Sequence, residues 1–524
     1  MSATTDALET VPGAPDSTPR FGRQGTRRLI GAAWPVAALV AVAGTMRFVG
    51  LDAVGFNSDE AVYAGTAASL GGDTSLEPYF PVFRAHPVLF QTLVAGVEQM
   101  LGTGTDWVPR AVAAVVGIAA VLVTFSLGRR LYGPSAGLIA GLILAVMPYH
   151  VVVSRQVLLD GMMTLFVTVA LYCIVSYVES ARATWMCAAG SAMGLAFLSK
   201  ETAVVLLGGL FAFFALTPWV TLRLRHIVAG FVPFAALVAI HPLSQALAGK
   251  ATAGSSYLIY QLSRPENHPM TFYASVVPWA VGIFVLTAAV VGLVWLRREG
   301  TWRERLLMCW AAFPIVFFTI WPVRGYQYLL PIAPVVAVLA GRAVSGLVTV
   351  RAFRRRRRTA QAAVIAVTAI LVASLAVPTA QQISPSTTGS FLAGTGGVPG
   401  GREAGHWVAE NVPANARMLS IGPSMANILQ YYGQRKVYGL SVSPNPEVRN
   451  PAYAPVSNPD RALRRGELQY LVWDSYSAGR SPTFSAKLRG LVDRYNGVPV
   501  YSGTVGAGTK DRPVIIIYAV WPDP

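Results

Sequence analysis

Asn57-Ser58-Asp59-Glu60-Ala61-Val62-Tyr63 stands just beyond the first long apolar run, residues 29–49, and its reading decides the rest. Two adjacent carboxylates at the outer mouth of a membrane bundle sit where unpaired charge is expensive. The chain around them is 53% hydrophobic and 13% charged, with a mean hydropathy of +0.49 over 524 residues. A soluble protein carries about 25% charged residues. The composition therefore specifies a polytopic membrane protein and excludes an ordinary soluble enzyme.

Working outward, apolar runs long enough to cross a bilayer (about 17–25 residues) fall at 29–49, 107–127, 134–150, 160–178, 184–199, 202–220, 227–247, 272–296, 305–322, 328–347 and 361–379. These are about eleven helices. Residues 1–28 are polar, carry Pro12, Pro15 and Pro19, and read as a disordered cytoplasmic start. With the N-terminus inside, the inner loops hold 20 Lys and Arg, and the outer positions before residue 380 hold 8. That asymmetry fits the rule that cytoplasmic loops retain positive charge. It also assigns the run Arg354–Arg358, part of a net charge of +17, to an inner loop rather than to nucleic acid. An odd number of spans leaves the C-terminus outside.

Two outer loops are long, 50–106 and 248–271. In the first, His86–Leu101 is apolar but has 16 residues and contains Glu98, so it reads as an interfacial helix. Residues 58–70 form a second such candidate. After a Gly-rich linker at 380–401, residues 402–524 read as an outward α/β domain. Strands are expected at Ala416–Ile421, Lys436–Gly439, Leu468–Trp473 and Val514–Val520. Helices are expected at Gly405–Asn411, Met425–Tyr432 and Phe484–Tyr495. This alternation predicts a mostly parallel sheet. Cys173, Cys187 and Cys309 all lie in apolar runs and provide neither a disulfide framework nor a zinc spacing.

The polar residues at the outer helix ends are the chemical candidates. Asp59 or Glu60 can act as general base toward an acceptor hydroxyl; the alternative is a pair of solvated loop acids. Arg84 and His86 can bind phosphate, fix the loop, or reach toward lipid head groups. Arg110 opens the second span. Arg155 and Asp160 bracket the next outer turn, where they can simply pair. Lys200, followed by Glu201, can neutralise a phosphate leaving group or mark a turn. Arg324 beside Tyr326 and Tyr328 suits phosphate and sugar recognition; the tyrosines also suit an interfacial belt. A cavity with carboxylates among cations beside lipid suits a lipid-linked phosphate. No HExxH, CxxC or GxSxG pattern competes.

Taken in order, Asn57–Tyr63, His86-Pro87-Val88-Leu89, Val108-Pro109-Arg110, Ser154-Arg155 with Asp160, Gly194–Lys200 and Tyr326–Pro331 resemble the GT-C superfamily of polyprenyl-phosphate-sugar-dependent glycosyltransferases. The likeness is to its protein O-mannosyltransferase and aminoarabinose transferase branch, over roughly residues 30–347. The resemblance implies a multi-helix module with two interfacial helices in the first outer loop. It implies sugar transfer from a polyprenyl monophosphate with inversion at the anomeric carbon. It carries the catalytic acid to Asp59, a cavity carboxylate to Asp160 and a phosphate contact to Lys200. Some members bind a divalent metal, and metal use here stays open. The sequence departs from the family pattern at Val88, where a second proline is common, and at Glu201, where a small residue is common.

The expectation is thus an inverting glycosyltransferase in the plasma membrane. Its partners are a polyprenyl-phosphate-linked sugar, membrane lipids and a glycan, lipid or protein acceptor, with no nucleic acid. Rivals are a transporter or lipid flippase, which places charge mid-membrane in broken helices, and a non-catalytic scaffold that displays the outer domain.

Overall fold

The structure, a computed structural model, describes residues 24–83, 85–102, 104–250, 253–294, 301–349, 357–384, 399–505 and 512–521. Most of the expected disordered start, Arg84, residues 354–356 of the arginine run and most of the 380–401 linker lie outside the described residues. The chain divides into two compact units, residues 1–38 and 39–524. The described part of the first is helical. The second holds a helical bundle and the C-terminal α/β layer.

Helix α1 (Gln24–Phe48) is followed by α2 (Ser58–Leu70) and α3 (Leu89–Leu101). At 13 residues each, the last two are about 20 Å long, too short for a hydrocarbon core of about 30 Å. They occupy the long segment between α1 and α4, residues 50–106, where interfacial helices are expected. Next come α4 (Trp107–Tyr132), α5 (Pro134–Val146), α6 (Pro148–Ser154), α7 (Leu159–Ser180), α8 (Ala183–Ser199), α9 (Val205–Ala215), α10 (Leu224–Leu247) and α11 (Ala253–Ser263). Helices α12 (Phe272–Val281), α13 (Ile283–Val294), α14 (Trp302–Ile320), α15 (Ala333–Gly346) and α16 (Arg357–Ile383) complete the bundle.

All the apolar runs are helical, but they are not equivalent spans. Among the described residues, five helices are long and apolar enough to cross a membrane, or seven if each of two bent pairs counts as one. The α5–α6 pair bends by 59° where Pro148 opens α6; proline cannot donate into the preceding helix. The α12–α13 pair bends by 95° at Gly282, whose φ of +91° is open to glycine.

Residues 401–520 form the α/β layer. Its elements are α17 (Gly401–Asn411), β1 (Arg417–Ser420), α18 (Pro423–Gly433), β2 (Lys436–Gly439), α19 (Pro459–Arg464), β3 (Tyr470–Asp474), α20 (Ser475–Arg480), α21 (Pro482–Arg494), β4 (Val498–Val505) and β5 (Arg512–Ala519). The strand order is β2-β1-β3-β5-β4. Strand β1 runs parallel to β2 and β3, whereas β5 is antiparallel to β3 and β4. The expected mostly parallel sheet is therefore mixed, because β5 pairs antiparallel with both β3 and β4. Alternate residues face opposite sides. Met418, Val472, Ile515 and Ile517 pack under α17 and α18, and Leu419 and Leu471 pack against Leu463 and Leu488.

This layer rests on the first outer loop through α18. Tyr431 packs on Phe56 with ring centroids 5.2 Å apart. The Tyr432 hydroxyl accepts from the Phe56 amide at 2.8 Å and donates to Asp106. Arg402 pairs with Asp52 at 2.7 Å and with Asp106 at 2.9 Å.

Candidate functional site

The mouth is built on the start of α2. Asn57 caps that helix: its side-chain oxygen accepts from the Asp59 and Glu60 amides at 2.9 and 3.0 Å, and Glu60 accepts from the Asn57 amide at 3.0 Å. This reciprocal box satisfies orphan donors at the helix start and fixes where the two acids point. They point opposite ways. Asp59 is exposed and Glu60 is fully buried.

Glu60 is held from several directions. Arg110 donates to both of its oxygens at 2.8 Å, and the Val157 amide donates to Oε1 at 3.2 Å. The remaining Arg110 N–H groups reach the carbonyls of Leu51, Val54 and Gly55 at 2.6–3.1 Å. All five guanidinium donors are thus engaged, and the pair anchors loop 51–57 to α4.

Asp59 differs. Among the described residues, no side chain donates a hydrogen bond to its carboxylate. Its pKa is raised above the usual carboxylate value, first because the surrounding protein strips away bulk water, although the side chain still reaches solvent through the mouth. Lys200 and His86 pull it down, and Asp160 and Glu60 push it up. These influences identify the groups gathered around it. Tyr63, one turn further along α2, faces His86 with ring centroids 6.1 Å apart and has its hydroxyl pKa raised by burial and then by Asp59.

Across the mouth, Lys200 donates to both oxygens of Asp160 at 2.8 Å and lies 4.8 Å from the centre of the Tyr328 ring. Both partners of this ion pair are buried. It forms because the α8 C-terminus brings Lys200 beside the α7 N-terminus. Asp160 therefore pairs with Lys200, and not with Arg155 across the turn. Arg155 instead donates to the carbonyls of Met46, Arg47, Val49 and Gly50 at 2.9–3.2 Å, capping α1.

His86 is placed at the site. Its Nδ1 lies 2.9 Å from both oxygens of Glu201, and its Nε2 lies 3.3 Å from the Tyr257 hydroxyl of α11. Glu201, which the sequence marked only as a departure from the family pattern, is thereby a site residue. Tyr257 was visible in the sequence as an aromatic in the second outer loop, but nothing there tied it to His86.

Arg324 and Tyr326 are drawn into the scaffold. The Arg324 side chain is buried and donates to the carbonyls of Thr319 and His268, while its amide donates to Asn267. It closes α14 and pins the second outer loop. The buried Tyr326 contributes its carbonyl to the Tyr149 hydroxyl. The structure thus brings together Asp59, His86, Asp160 and Lys200, and it engages Glu60, Arg110, Arg155, Arg324 and Tyr326 in framework contacts. Arg84 lies outside the described residues.

The α/β layer reaches the same mouth. The Tyr476 hydroxyl of α20 has its pKa raised by burial, lowered by Arg480 and raised by the field of Asp59. Arg480 lies over the Tyr476 ring, 5.5 Å from its centre. Among the described residues, no group of three or more His, Cys, Asp or Glu is placed to hold a metal ion.

Residues 85–244 match the family model of dolichyl-phosphate-mannose-protein mannosyltransferases. No curated protein matches the chain. Among solved structures, the apo form of ArnT from Cupriavidus metallidurans is similar at 16% identity and a TM-score of 0.68, over 93% of this chain and 98% of that one. ArnT bound to undecaprenyl phosphate is similar at 16% identity and a TM-score of 0.61, with the same coverage. The oligosaccharyltransferase AglB from Archaeoglobus fulgidus, in complex with an inhibitory peptide and a dolichol-phosphate, is similar at 12% identity and a TM-score of 0.61, over 91% of this chain and 73% of that one. At such identities the likeness to these structures is one of fold. The fold is thus the one these proteins share, and residues 85–244 are similar to that mannosyltransferase family.

Proposed function

We propose that this chain transfers a sugar from a polyprenyl-phosphate donor to an acceptor hydroxyl, with inversion, on the outer face of the plasma membrane. In this reading the N-terminus is cytoplasmic and the α/β layer lies outside. The observation that carries it is Asp59. It is an exposed carboxylate with a raised pKa, fixed by a capped helix and within the electrostatic influence of the buried Lys200–Asp160 pair. Likeness to structures whose ligands are undecaprenyl phosphate and dolichol-phosphate supports the donor class.

Asp59 takes the proton from the acceptor hydroxyl as that oxygen attacks the anomeric carbon. The bond from that carbon to the phosphate oxygen breaks on the opposite face. The electron pair leaves with the polyprenyl phosphate, whose charge is met by Lys200 and His86. Asp160 holds Lys200 in place. Glu60 and Arg110 keep the α2 start rigid, and Tyr476 with Arg480 borders the acceptor side.

The test is transfer by purified Asp59→Asn, from polyprenyl-phosphate sugars to cell-envelope acceptors, with a folding control. The expected result is loss of turnover by about 100-fold or more, the scale of general-base catalysis. A folded variant with full turnover rejects the assignment.

A further inference from the structure

We infer that Glu201 is a positioning residue of the donor-phosphate site, acting through His86, and that Tyr257 holds the place the phosphate takes. This rests on the proposed sugar transfer and deepens it. Glu201 is one of two residues at which this chain departs from the pattern of the family it resembles, and its carboxylate lies 2.9 Å from His86 Nδ1 through both oxygens. Glu201 and the His86 side chain are both largely shielded, at 29% and 12% exposure. A two-oxygen contact of this kind commits the Nδ1–H and fixes the ring plane, which leaves Nε2 as the one group the imidazole can offer to a ligand.

Nε2 is aimed back toward the mouth, where its partner is the weakest of the set. The Tyr257 hydroxyl stands 3.3 Å away, at the long end of a hydrogen bond, and already accepts from Gln261 at 2.5 Å. Tyr257 stays anchored by Gln261 if it loses His86. In the imidazolium form, with Nδ1–H on Glu201, the Nε2–H can therefore exchange the neutral phenol for a phosphate oxygen, a charge-assisted and stronger acceptor. Besides Glu201, the groups that interact with His86 are Asp59 and Tyr63 from α2, Asp160 across the mouth, His241 from α10 and Tyr257 from α11. Lys200 is already committed to Asp160, so a second cation matters for holding an anion there.

The test measures binding of undecaprenyl phosphate, and donor KM and kcat, for the full-length wild type, Glu201→Gln, Glu201→Asp and Tyr257→Phe. Binding does not depend on turnover, so it separates this inference from the assignment of Asp59. Glu201→Gln is expected to weaken undecaprenyl phosphate about tenfold and to raise donor KM more than it lowers kcat, on the scale of one charge-assisted hydrogen bond. Glu201→Asp is expected to restore most of that loss. Tyr257→Phe is expected to bind as tightly as the wild type or more tightly, because it removes only the occupant. Wild-type affinity in Glu201→Gln overturns the inference. So does weakened binding in Tyr257→Phe, which decides the matter even if Glu201→Gln does not fold. Absence of binding by the wild type overturns the donor assignment itself.

Discussion

Arg110 donates two hydrogen bonds of 2.8 Å to Glu60, and neither side chain reaches solvent. One acid of the Asp-Glu doublet is thereby spent on the framework, and the neighbouring Asp59 carboxylate accepts no side-chain hydrogen bond among the described residues. Removing one member of a buried pair strands the other charge, at a cost of about 3–5 kcal/mol. Glu60→Ala and Arg110→Ala are each expected to lower thermal stability in detergent sharply. Unchanged melting of either variant contradicts the framework role.

Asp59 carries the opposite expectation. Its pKa is raised in the fold, chiefly by burial. A carboxyl with a raised folded pKa opposes folding once pH passes above its unfolded value, so the ionised form costs stability at neutral pH. Asp59→Asn is therefore expected to melt at the same temperature as the wild type or higher while losing turnover. A marked loss of stability argues that Asp59 is structural.

The same shift sets a pH profile. A general base works only when deprotonated, so kcat/KM falls as pH drops through its pKa. The acid limb of turnover is expected above the ordinary aspartate value of about 3.9. A limb at or below that value, measured over a pH range in which the enzyme stays folded, places the base elsewhere.

Asp474 at the end of β3 gives a stability prediction in the α/β layer. It is fully buried, caps α20 through the Ser477 amide at 2.6 Å, and burial pushes its pKa up to about 6. The folded state then holds its proton where the unfolded state has lost it. Stability of this layer is expected to fall as pH rises from about 4 to about 6 and to stay level above that. Asp474→Asn keeps an acceptor oxygen for the cap and is expected to remove this slope, for a gain of at most about 3 kcal/mol at neutral pH. Hydrogen exchange of the layer against pH checks it.

Packing of α8 on α10 depends on Gly190. A methyl group there meets the Gly230 carbonyl oxygen at 1.8 Å, so the two backbones must separate. Small residues permit such close approach between membrane helices. Gly190→Ala is expected to destabilise by about 1–3 kcal/mol, read as lower thermal stability in detergent. Wild-type stability shows that α8 and α10 can part without penalty.

The residues themselves settled a good deal. Low charge and long apolar runs dictated helices, because a backbone in hydrocarbon must satisfy its own hydrogen bonds. Asp59 was legible as the acid beyond the first run, and so were His86, Asp160 and Lys200 as polar residues at outer helix ends. Strand β4 was not. Its Pro499 and Gly503 speak against a strand, yet it lies at the sheet edge with register shifts beside both residues, where an unpaired amide and an extra residue are tolerated.

What only the tertiary structure decided is partnership. From sequence, only the family resemblance separated Asp59 from Glu60, Asp160 was offered Arg155 as its partner, and Glu201 was a turn marker and a departure from the family pattern. Each choice depends on which helix ends meet across roughly 40 to 115 residues of chain, and on whether a charge is left to water or enclosed with its opposite. One-dimensional spacing determines that charges exist at a membrane mouth. Three-dimensional packing determines which of them are neutralised, because burying a charge is tolerable only against a matched partner.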